Sequence, residues 1–170
     1  MELKPLNDPA LIETIADWLS QKENYQWVDY GNGRQILGAA SLRMMAQRDI
    51  HLLRAFTADD SDEVIGVAGL SNIDRTFKTA LVSLCVLGDK RYAGQGYGTR
   101  ALSRVIGLGF KELGLESMTG WVVENNTASL RMVERNNFRP IGRQRRCHYI
   151  DGRPYDRLLF DLLACEHKEL

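Results

Sequence analysis

Hydrophobic and polar residues alternate along the chain in blocks that predict interleaved helices and strands. Near the N-terminus, apolar side chains recur every three or four positions from Leu11 to Leu19, which is typical of one face of a helix. Asn7 or Asp8 is placed to cap this helix, and Pro9 suits its first turn. The pattern predicts these further elements in the first half: a strand at residues 2–5, a helical region within 35–46, and strands at 51–57, 64–72 and 79–87.

The segments between the last three of these strands are short and polar, with ADDSDE at residues 58–63 and NIDRTFK at 72–78. Connections of this length join neighbouring antiparallel strands through hairpin-like turns. We therefore expect these three strands to lie side by side in one sheet.

The second half of the chain predicts a longer helix followed by further strands. After Gly98, the apolar residues up to Leu113 share one helical face, and Gly114 is a suitable stop for this helix. The elements predicted after it are a strand at 117–123, a short helix at 127–135, a strand at 138–150, a turn at 151–154 and a last strand at 157–163. This order requires crossover connections and some parallel pairing, so the predicted fold class is α/β, with a mixed sheet of about seven strands flanked by helices.

Length and composition restrict the possible classes of protein. A chain of 170 residues with 44% hydrophobic content can form one domain with a sizeable core, so we expect a single domain over residues 1–170. No stretch approaches the roughly 18 to 20 apolar residues of a membrane span, and the first residues do not resemble a leader, which favours a cytoplasmic protein without a membrane partner. Three cysteines without metal-ligand spacing predict free thiols and no metal.

The charges balance over the whole chain but differ between its halves. There are 22 Lys and Arg residues against 22 Asp and Glu residues, which argues against a general nucleic-acid-binding protein. Residues 1–80 hold 8 basic and 12 acidic residues, a net of −4, whereas residues 81–170 hold 14 and 10, a net of +4. An anionic ligand near the second half and an ordinary solvated surface are both compatible with this difference.

The segment RYAGQGYGTRAL, residues 91–102, carries three glycines at alternate positions directly before the longer helix. The unpaired amides of such a loop and of the first helical turn favour phosphate oxygens, and glycine lets a ligand approach the backbone closely. A Walker loop needs a Lys after its glycines, and a Rossmann fingerprint needs GxGxxG after the first strand, so neither motif fits. A phosphate-binding turn and a plain glycine-rich turn remain as interpretations.

Two separated motifs resemble those of one family. The stretch LCVLGDKRYAGQGYGTRAL, followed after the helix by WVVENNTASLRMVERNNF, is similar to motifs A and B of the GNAT superfamily of acetyl-CoA-dependent N-acetyltransferases. The final strand pair, RQRRCHYIDGRPYDRLLFDLL, resembles that of the RimJ- and RimL-like ribosomal-protein N-terminal acetyltransferases. The resemblance covers roughly residues 79–163. It implies the GNAT fold, splayed between its fourth and fifth strands, with acetyl-CoA as co-substrate.

The resemblance also implies which residues contact the co-substrate. The amides around residues 93–99 would hold the pyrophosphate, the strand through Cys85 and Val86 would pair with the pantetheine arm, and the Asn126 side chain would reach the cofactor. The implied cofactor-binding residues are Cys85, Val86, Ala93, Gly94, Gln95, Gly96, Tyr97, Gly98, Thr99 and Asn126. Helix capping is the competing interpretation of Asn126.

Acetyl transfer to an amine requires a neutral amine, a donor for the oxyanion and a proton for the leaving thiolate. The resemblance implies the amide near Val86 as the oxyanion donor and Ser129 as the catalytic acid, with capping as the alternative for Ser129. Val133 stands where many superfamily members carry a tyrosine acid, and Ile141 where RimL-like chains often carry a glutamate base. The remaining candidates for the base are Glu124, His148, Tyr155 and Asp156, of which His148 and Asp156 also suit purely structural roles.

The acceptor pocket of this fold is built by the first helices and the loop that connects them. Trp27 and Tyr30, beside the glycines at 31 and 33, are therefore expected to contact the acceptor, while the helical spacing of Trp18 predicts core packing. Four arginines crowd one predicted strand, where they either attract phosphates or an acidic acceptor or face solvent: Arg139, Arg143, Arg145 and Arg146.

Three functions remain open. The resemblance favours an N-acetyltransferase for a peptide or protein N-terminus. The second is the same chemistry on a small amine, such as an aminosugar, a polyamine or an antibiotic. The third is a non-catalytic acyl-CoA-binding module, because Val133 and Ile141 occupy both common acid and base positions. A monomer and a homodimer are equally compatible with the sequence.

Overall fold

Seven strands and five α-helices make up the chain, of which the computed structural model describes all 170 residues. The strands are β1 (Leu3–Pro5), β2 (Leu52–Thr57), β3 (Val64–Asp74), β4 (Thr79–Leu87), β5 (Ser117–Val123), β6 (Arg139–Ile150) and β7 (Arg153–Leu163). The helices are α1 (Pro9–Leu19), α2 (Lys22–Tyr25), α3 (Ala39–Gln47), α4 (Tyr97–Lys111) and α5 (Thr127–Arg135), with 3-10 turns at Lys90–Tyr92 and Ala164–Glu166. None of the helices combines the length and hydrophobicity that crossing a membrane requires.

All seven strands belong to one sheet with the order β1-β2-β3-β4-β5-β7-β6. The first four strands pair antiparallel in chain order, and β6 and β7 form a hairpin whose second strand pairs with β5. β4 and β5 are the one parallel pair, and α4 is the crossover between them. The predicted mixed sheet and its parallel pairing are therefore confirmed.

A β-bulge at Ser83 divides β4 into two halves that face opposite ways. Ser83 is the extra residue in the pairing of β4 with β3, and its hydroxyl donates to the Gly69 carbonyl (3.1 Å). Ala80 belongs to the hydrophobic cluster beneath α4, whereas Leu84 and Val86 belong to the cluster beneath α1 and α3. Residues an even number apart would share one face of a regular strand, so the bulge reverses the alternation.

The two hydrophobic clusters cover the two faces of the sheet. One packs the apolar face of α4 on the sheet, and the other packs α1 and α3 on the opposite face. Neighbouring positions of β2 alternate between them, since Phe56 lies in the first cluster and Ala55 in the second. Trp18 packs against the second cluster, and its ring lies so close to Gly88 that an added Cβ would be 1.9 Å from it, which confirms its expected core packing.

Local sequence signals account for most element ends. Asp8, and not Asn7, caps α1 by accepting from the Ala10 amide (3.0 Å), with Pro9 as the first helical residue. Gly114 follows α4 with φ +66°, and Asn137 follows α5 with φ +62°. Both adopt the left-handed conformation in which helices commonly end.

The structure moves several element ends and adds one helix to the prediction. The second helical region, predicted within residues 35–46 without a defined start, runs from Ala39 to Gln47 with Gly38 at its N-cap. The last strand begins at Arg153, four residues earlier than predicted, because the tight turn at Asp151 and Gly152 lets pairing start at once. The single turn of α2 was not predicted, since four residues are too few to show a helical period.

We expect Gly66→Ala to destabilise the fold by about 3 kcal/mol, because a Cβ at this position would lie 2.2 Å from Cζ of Phe56 and 2.5 Å from the Val86 carbonyl oxygen. Phe56 is fully buried and cannot move aside. Gly142→Ala is the matched control in β6, where the nearest atom is an ordinary 3.8 Å away. Denaturant unfolding of both variants measures the difference, and equal stability would contradict this account of the packing.

Candidate active site

β4 and β5 separate after three paired residues. They pair only between Thr79–Leu81 and Ser117–Thr119, although β4 continues to Leu87 and β5 to Val123. From Val82 onward, the edge of β4 that faces β5 has no strand partner, so its main-chain groups are available to an extended ligand. The predicted splay between the fourth and fifth strands is confirmed.

Two cavities meet at this opening in the sheet. The α3-side cavity, of about 520 Å³, is lined mainly by α3 and by the loop of residues 27–37. The α5-side cavity, of about 300 Å³, is lined mainly by the second half of β4 and by α5. Both cavities are lined by Trp27, Val28, Val82, Ser83 and Trp121. A ligand in each cavity would therefore meet the other at the splay, beside the bulge.

The glycine-rich turn before α4 carries a run of unpaired backbone donors. Gly94 (φ +76°) and Gly96 (φ +81°) both adopt left-handed conformations, and a Cβ at either would meet nothing within 4 Å. The six N–H groups of residues 94–99 have no hydrogen-bond acceptor in the protein. Successive amides in such a turn, continued by the first turn of a helix, form a concave anion site.

Two residues of the predicted phosphate turn differ from the rest. The Ala93 amide donates to the Lys90 carbonyl (3.1 Å), so the free donors begin only at Gly94. Gly98 has an ordinary helical conformation, and its Cβ would lie 3.3 Å from Cε of Met132 and 3.7 Å from the Cys85 sulfur. Gly98 thus permits the close approach of α4 to β4 and α5.

Cys85 and Val86 lie on the wall of the α5-side cavity, on opposite faces of β4. The Cys85 thiol donates to the Gly98 carbonyl (3.3 Å), which connects the cavity wall to the glycine-rich turn. Burial raises the pKa of the Cys85 thiol to about 12, so it is protonated at neutral pH. A neutral thiol is a poor nucleophile, which argues against an acetyl-cysteine intermediate.

Asn126 and Ser129 also line the α5-side cavity. Asn126 caps α5, and its side-chain oxygen accepts from the Ser129 amide (3.2 Å). Asn126 is therefore a helix cap, and the cap leaves the amide nitrogen of its side chain without a protein partner. The Ser129 backbone takes part in the cap, whereas its half-buried hydroxyl has no protein partner.

The geometry supports none of the four candidates for the general base in that role. Arg143 binds Glu124 (3.1 Å) and Asp156 (2.7 Å) in one exposed ion-pair cluster, and the hydrogen bond from Arg143 lowers the pKa of Asp156. Both ring nitrogens of His148 are hydrogen-bonded. Tyr155 lies opposite His148 in the β6–β7 pairing and lines neither cavity. The structural interpretation of His148 and Asp156 is thus the one the geometry favours.

The lining of the α3-side cavity includes titratable and hydroxyl-bearing side chains. Trp27 and Tyr30, the two loop residues expected to contact an acceptor, both line it. The Tyr30 hydroxyl is buried without a partner, and burial raises its pKa to about 12. His51 also lines the cavity and shares a hydrogen bond with Ser71 (3.1 Å). Sequence reasoning missed His51 and Ser71, because nothing local distinguishes them from ordinary strand residues.

A buried polar network ties the loop of residues 27–37 to the far hairpin. His148 donates to the Gln26 carbonyl (2.7 Å), and Arg157 donates to the other nitrogen of His148 (3.2 Å) and to Asp29 (3.2 Å). The Arg157 guanidinium also lies 3.9 Å above the ring of Trp121. These contacts fix the loop against the splay and orient the indole shared by both cavities.

We expect His148 to make stability depend on pH. Burial and, less strongly, the charge of Arg157 lower the pKa of His148 below its usual value of 6.5, although the Gln26 carbonyl opposes this. Because the folded state favours the neutral ring, its contribution to stability is complete above about pH 6.5 and is lost as the pH falls toward the lowered pKa. Urea unfolding between pH 7 and pH 5 should show this decline.

His148→Gln is the matched control for this prediction, since glutamine can donate and accept in the same places without titrating. Its stability should fall less steeply over the same range. The pKa values of His51 and His167 are also lowered, first of all by burial, so a smaller decline remains in the variant. If stability fell equally steeply with pH in both proteins, the hydrogen bonds that we assign to the two ring nitrogens of His148 would be contradicted.

The arginines of β6 face solvent or pair with neighbouring carboxylates. Arg139 pairs with Glu166, and Arg143 with Glu124 and Asp156. Arg145 and Arg146 are exposed, and Arg146 has φ +51° where the strand bulges. None of the four lines either cavity, so the solvent-facing interpretation holds.

Comparison with family models and curated proteins identifies related sequences. A model described as "Acetyltransferase (GNAT) domain" matches residues 1–139. The uncharacterised N-acetyltransferase p20 of Bacillus licheniformis is 29% identical over 108 residues, which is 64% of this chain and 60% of that protein. The probable N-acetyltransferase YjcK of Bacillus subtilis (strain 168) is 34% identical over 98 residues, or 57% of this chain and 52% of that protein. The aligned region thus spans only about half to three fifths of these relatives.

Solved structures share the whole arrangement of elements. The spermidine N-acetyltransferase of Vibrio cholerae, in complex with CoA and spermine, has a TM-score of 0.83 at 15% identity, covering 97% of this chain and 96% of that one. RimL, a ribosomal-protein α-N-acetyltransferase in complex with coenzyme A, has a TM-score of 0.76 at 17% identity, covering 95% and 92%. At these identities the likeness is one of fold.

Proposed function

Because the chain belongs to the GNAT acetyltransferase family, we propose that it transfers the acetyl group of acetyl-CoA directly to a primary amine. We propose further that residues 1–170 act as a single N-acetyltransferase domain, of the RimJ- and RimL-like branch that its C-terminal motifs resemble. The curated relatives that it matches are themselves named as N-acetyltransferases.

The observation that carries the proposal is the run of unpaired amides over residues 94–99. Six adjacent N–H groups without acceptors at a helix start suit a diphosphate, and Gly94 and Gly96 leave open space in front of them. The unpartnered edge of β4 leads from this turn along the α5-side cavity to the splay. A phosphate group followed by an extended chain fits this arrangement, as coenzyme A requires.

Each part of the proposed site would then have its own role in binding or in proton transfer. The amides of residues 94–99 bind phosphate oxygens, β4 from Cys85 to Val86 holds the extended arm, and the free side-chain nitrogen of Asn126 donates to it. Bound acetyl-CoA supplies the acetyl group as a thioester. An amide of β4 near Val86, on the edge that faces β5, is our proposed oxyanion donor. The unpartnered hydroxyl of Ser129 is our proposed proton donor to the leaving thiolate, and the proton that the attacking amine releases restores this hydroxyl through water. The acceptor amine enters from the α3-side cavity.

We propose a peptide or protein N-terminus as the acceptor, on the basis of the RimJ- and RimL-like motifs. A small amine is the second candidate. It is supported by the volume of the α3-side cavity, about 520 Å³, and by the likeness in fold to a spermidine N-acetyltransferase. Either acceptor can be used by a monomer or a homodimer, since both cavities are lined by one chain.

The test of the proposed function is release of free thiol from acetyl-CoA with and without acceptors. Incubation with peptides of different N-terminal residues and with small amines should give thiol release only when an acceptor is present, with an equal amount of acetylated product. Coenzyme A binding without turnover on any acceptor would instead identify a non-catalytic acyl-CoA-binding module. Turnover with only peptides or only small amines selects between the two enzymes.

A further inference from the structure

Two arginines give the α3-side cavity an uncompensated positive charge. Arg34, in the loop, and Arg48, just after α3, both line it. Both residues are exposed, and ten of the other twenty lysines and arginines pair with a carboxylate, as Arg91, Arg100 and Lys111 do. Neither Arg34 nor Arg48 takes part in an ion pair, and the side chain of neither makes a hydrogen bond within the protein.

The single carboxylate of the cavity lining does not offset this charge. Asp29 accepts from the amides of Gly31 (2.9 Å) and Gly33 (3.0 Å) and pairs with Arg157 (3.2 Å). Partial burial alone would raise its pKa, but these hydrogen bonds lower it, so Asp29 is ionised and its charge is already matched. An incoming ammonium group therefore finds no free carboxylate in the lining.

The charge of Arg48 also acts on another group of the cavity lining. His51 lines the cavity, and its pKa is lowered first by burial and then by the charge of Arg48. A neighbouring cation that opposes protonation of an imidazole equally opposes the entry of a polycation. It favours an anion in the same place.

Tyr30 lines the same cavity, but its hydroxyl is buried from solvent and has no hydrogen-bond partner. A ligand in the cavity does not reach this hydroxyl as the side chain stands. Arg34 and Arg48 are therefore the two cations of the lining whose side chains have no acceptor in the protein.

We propose that the acceptor amine belongs to a molecule that also carries a carboxylate, bound by Arg34 and Arg48 in the α3-side cavity. The inference rests on the proposed function and narrows its acceptor class. It favours peptides with an acidic residue near the N-terminus, or free amino acids, and it disfavours polyamines, whose repeated ammonium groups would meet the two guanidinium groups. Arginine suits this role because its planar fork binds both oxygens of a carboxylate.

Matched acceptor pairs test the proposal. The first pair consists of two peptides that differ only in having Asp or Asn at the second position. The second pair consists of an amino acid and its amide. Spermidine serves as the cationic comparison. The carboxylate member of at least one pair should have a kcat/KM about tenfold or more above its neutral partner, mainly through KM. The peptide and amino-acid pairs distinguish the two sources of the carboxylate.

Arg34→Gln and Arg48→Gln, separately and together, should bring the members of the preferred pair close to equal kcat/KM, without changing the KM for acetyl-CoA. Arg43→Gln is the matched control, because Arg43 is exposed on α3 but does not line the cavity. If the carboxylate acceptor still had a higher kcat/KM than its neutral partner in the double variant, the assignment to these two arginines would be overturned.

A binding measurement separates this proposal from the proposed function. Trp27 and Trp121 line the cavity, so acceptor binding to the CoA-loaded protein should change tryptophan fluorescence even without turnover. Saturable binding of the carboxylate member that Arg34→Gln/Arg48→Gln abolishes supports the proposal, even if no acetylated product forms. Turnover of spermidine or of neutral acceptors as efficient as that of carboxylate acceptors overturns it, while leaving the acetyltransferase intact.

Discussion

Gly96→Asp is expected to weaken coenzyme A binding by roughly 100-fold or more, because the new carboxylate would lie among the amides that we propose for the diphosphate. The site accommodates the side chain, since a Cβ at Gly96 meets nothing within 4 Å. A carboxylate at the N-cap of α4 is also compatible with the helix dipole, so the fold should persist. Titration calorimetry with coenzyme A measures the affinity, and thermal unfolding checks the fold.

Gly96→Asn separates the effect of charge from that of backbone strain. Asparagine has the same shape and tolerates the left-handed conformation at φ +81°, so its affinity should fall by no more than about tenfold. Gly98→Glu is a less direct probe, because its side chain would first displace Met132 and Cys85. Equal affinities for the Asp and Asn variants would mean that the turn does not bind the phosphates.

The order of elements was predictable because hydrophobic periodicity is a local property. The face of α4 and the hairpin strands β2 to β4 follow directly from it, with boundaries set by residues such as Asp8 and Gly114. The bulge at Ser83 was not predictable, because TALVSLCVL is apolar on both faces and shows no alternation to interrupt. Its consequence, two halves of β4 that face opposite ways, only appears in the pairing with β3.

The candidate site was predictable only where one short segment forms it. The free amides of Gly94 and Gly96 follow from the glycine spacing, and the cap at Asn126 from its place before α5. The α3-side cavity, by contrast, joins side chains that are far apart in sequence, such as Arg48 and Trp121. Glu124, just after β5, likewise pairs with Arg143 of β6, and no local pattern predicts such an ion pair.

Ser129→Ala is expected to lower kcat by roughly 100-fold if its hydroxyl protonates the leaving thiolate, which is the usual scale for one general acid. Ser129 lines the α5-side cavity, and its hydroxyl has no protein partner that would suffer from the change. The Asn126 cap uses only the Ser129 backbone amide, so α5 should remain capped. Steady-state kinetics should show the loss in kcat, with coenzyme A affinity unchanged in calorimetry.

Thr127→Ala is the matched control, because it removes a hydroxyl from the same helical turn at an exposed position outside both cavities. Its kcat should stay at the level of the unmodified protein. A loss of similar size in both variants would mean that the start of α5 has been disturbed and not the chemistry. Full activity of Ser129→Ala would rule out its hydroxyl as the acid. Neither Val133 nor protonated Cys85 offers a suitable proton in its place, so water would then remain as the donor.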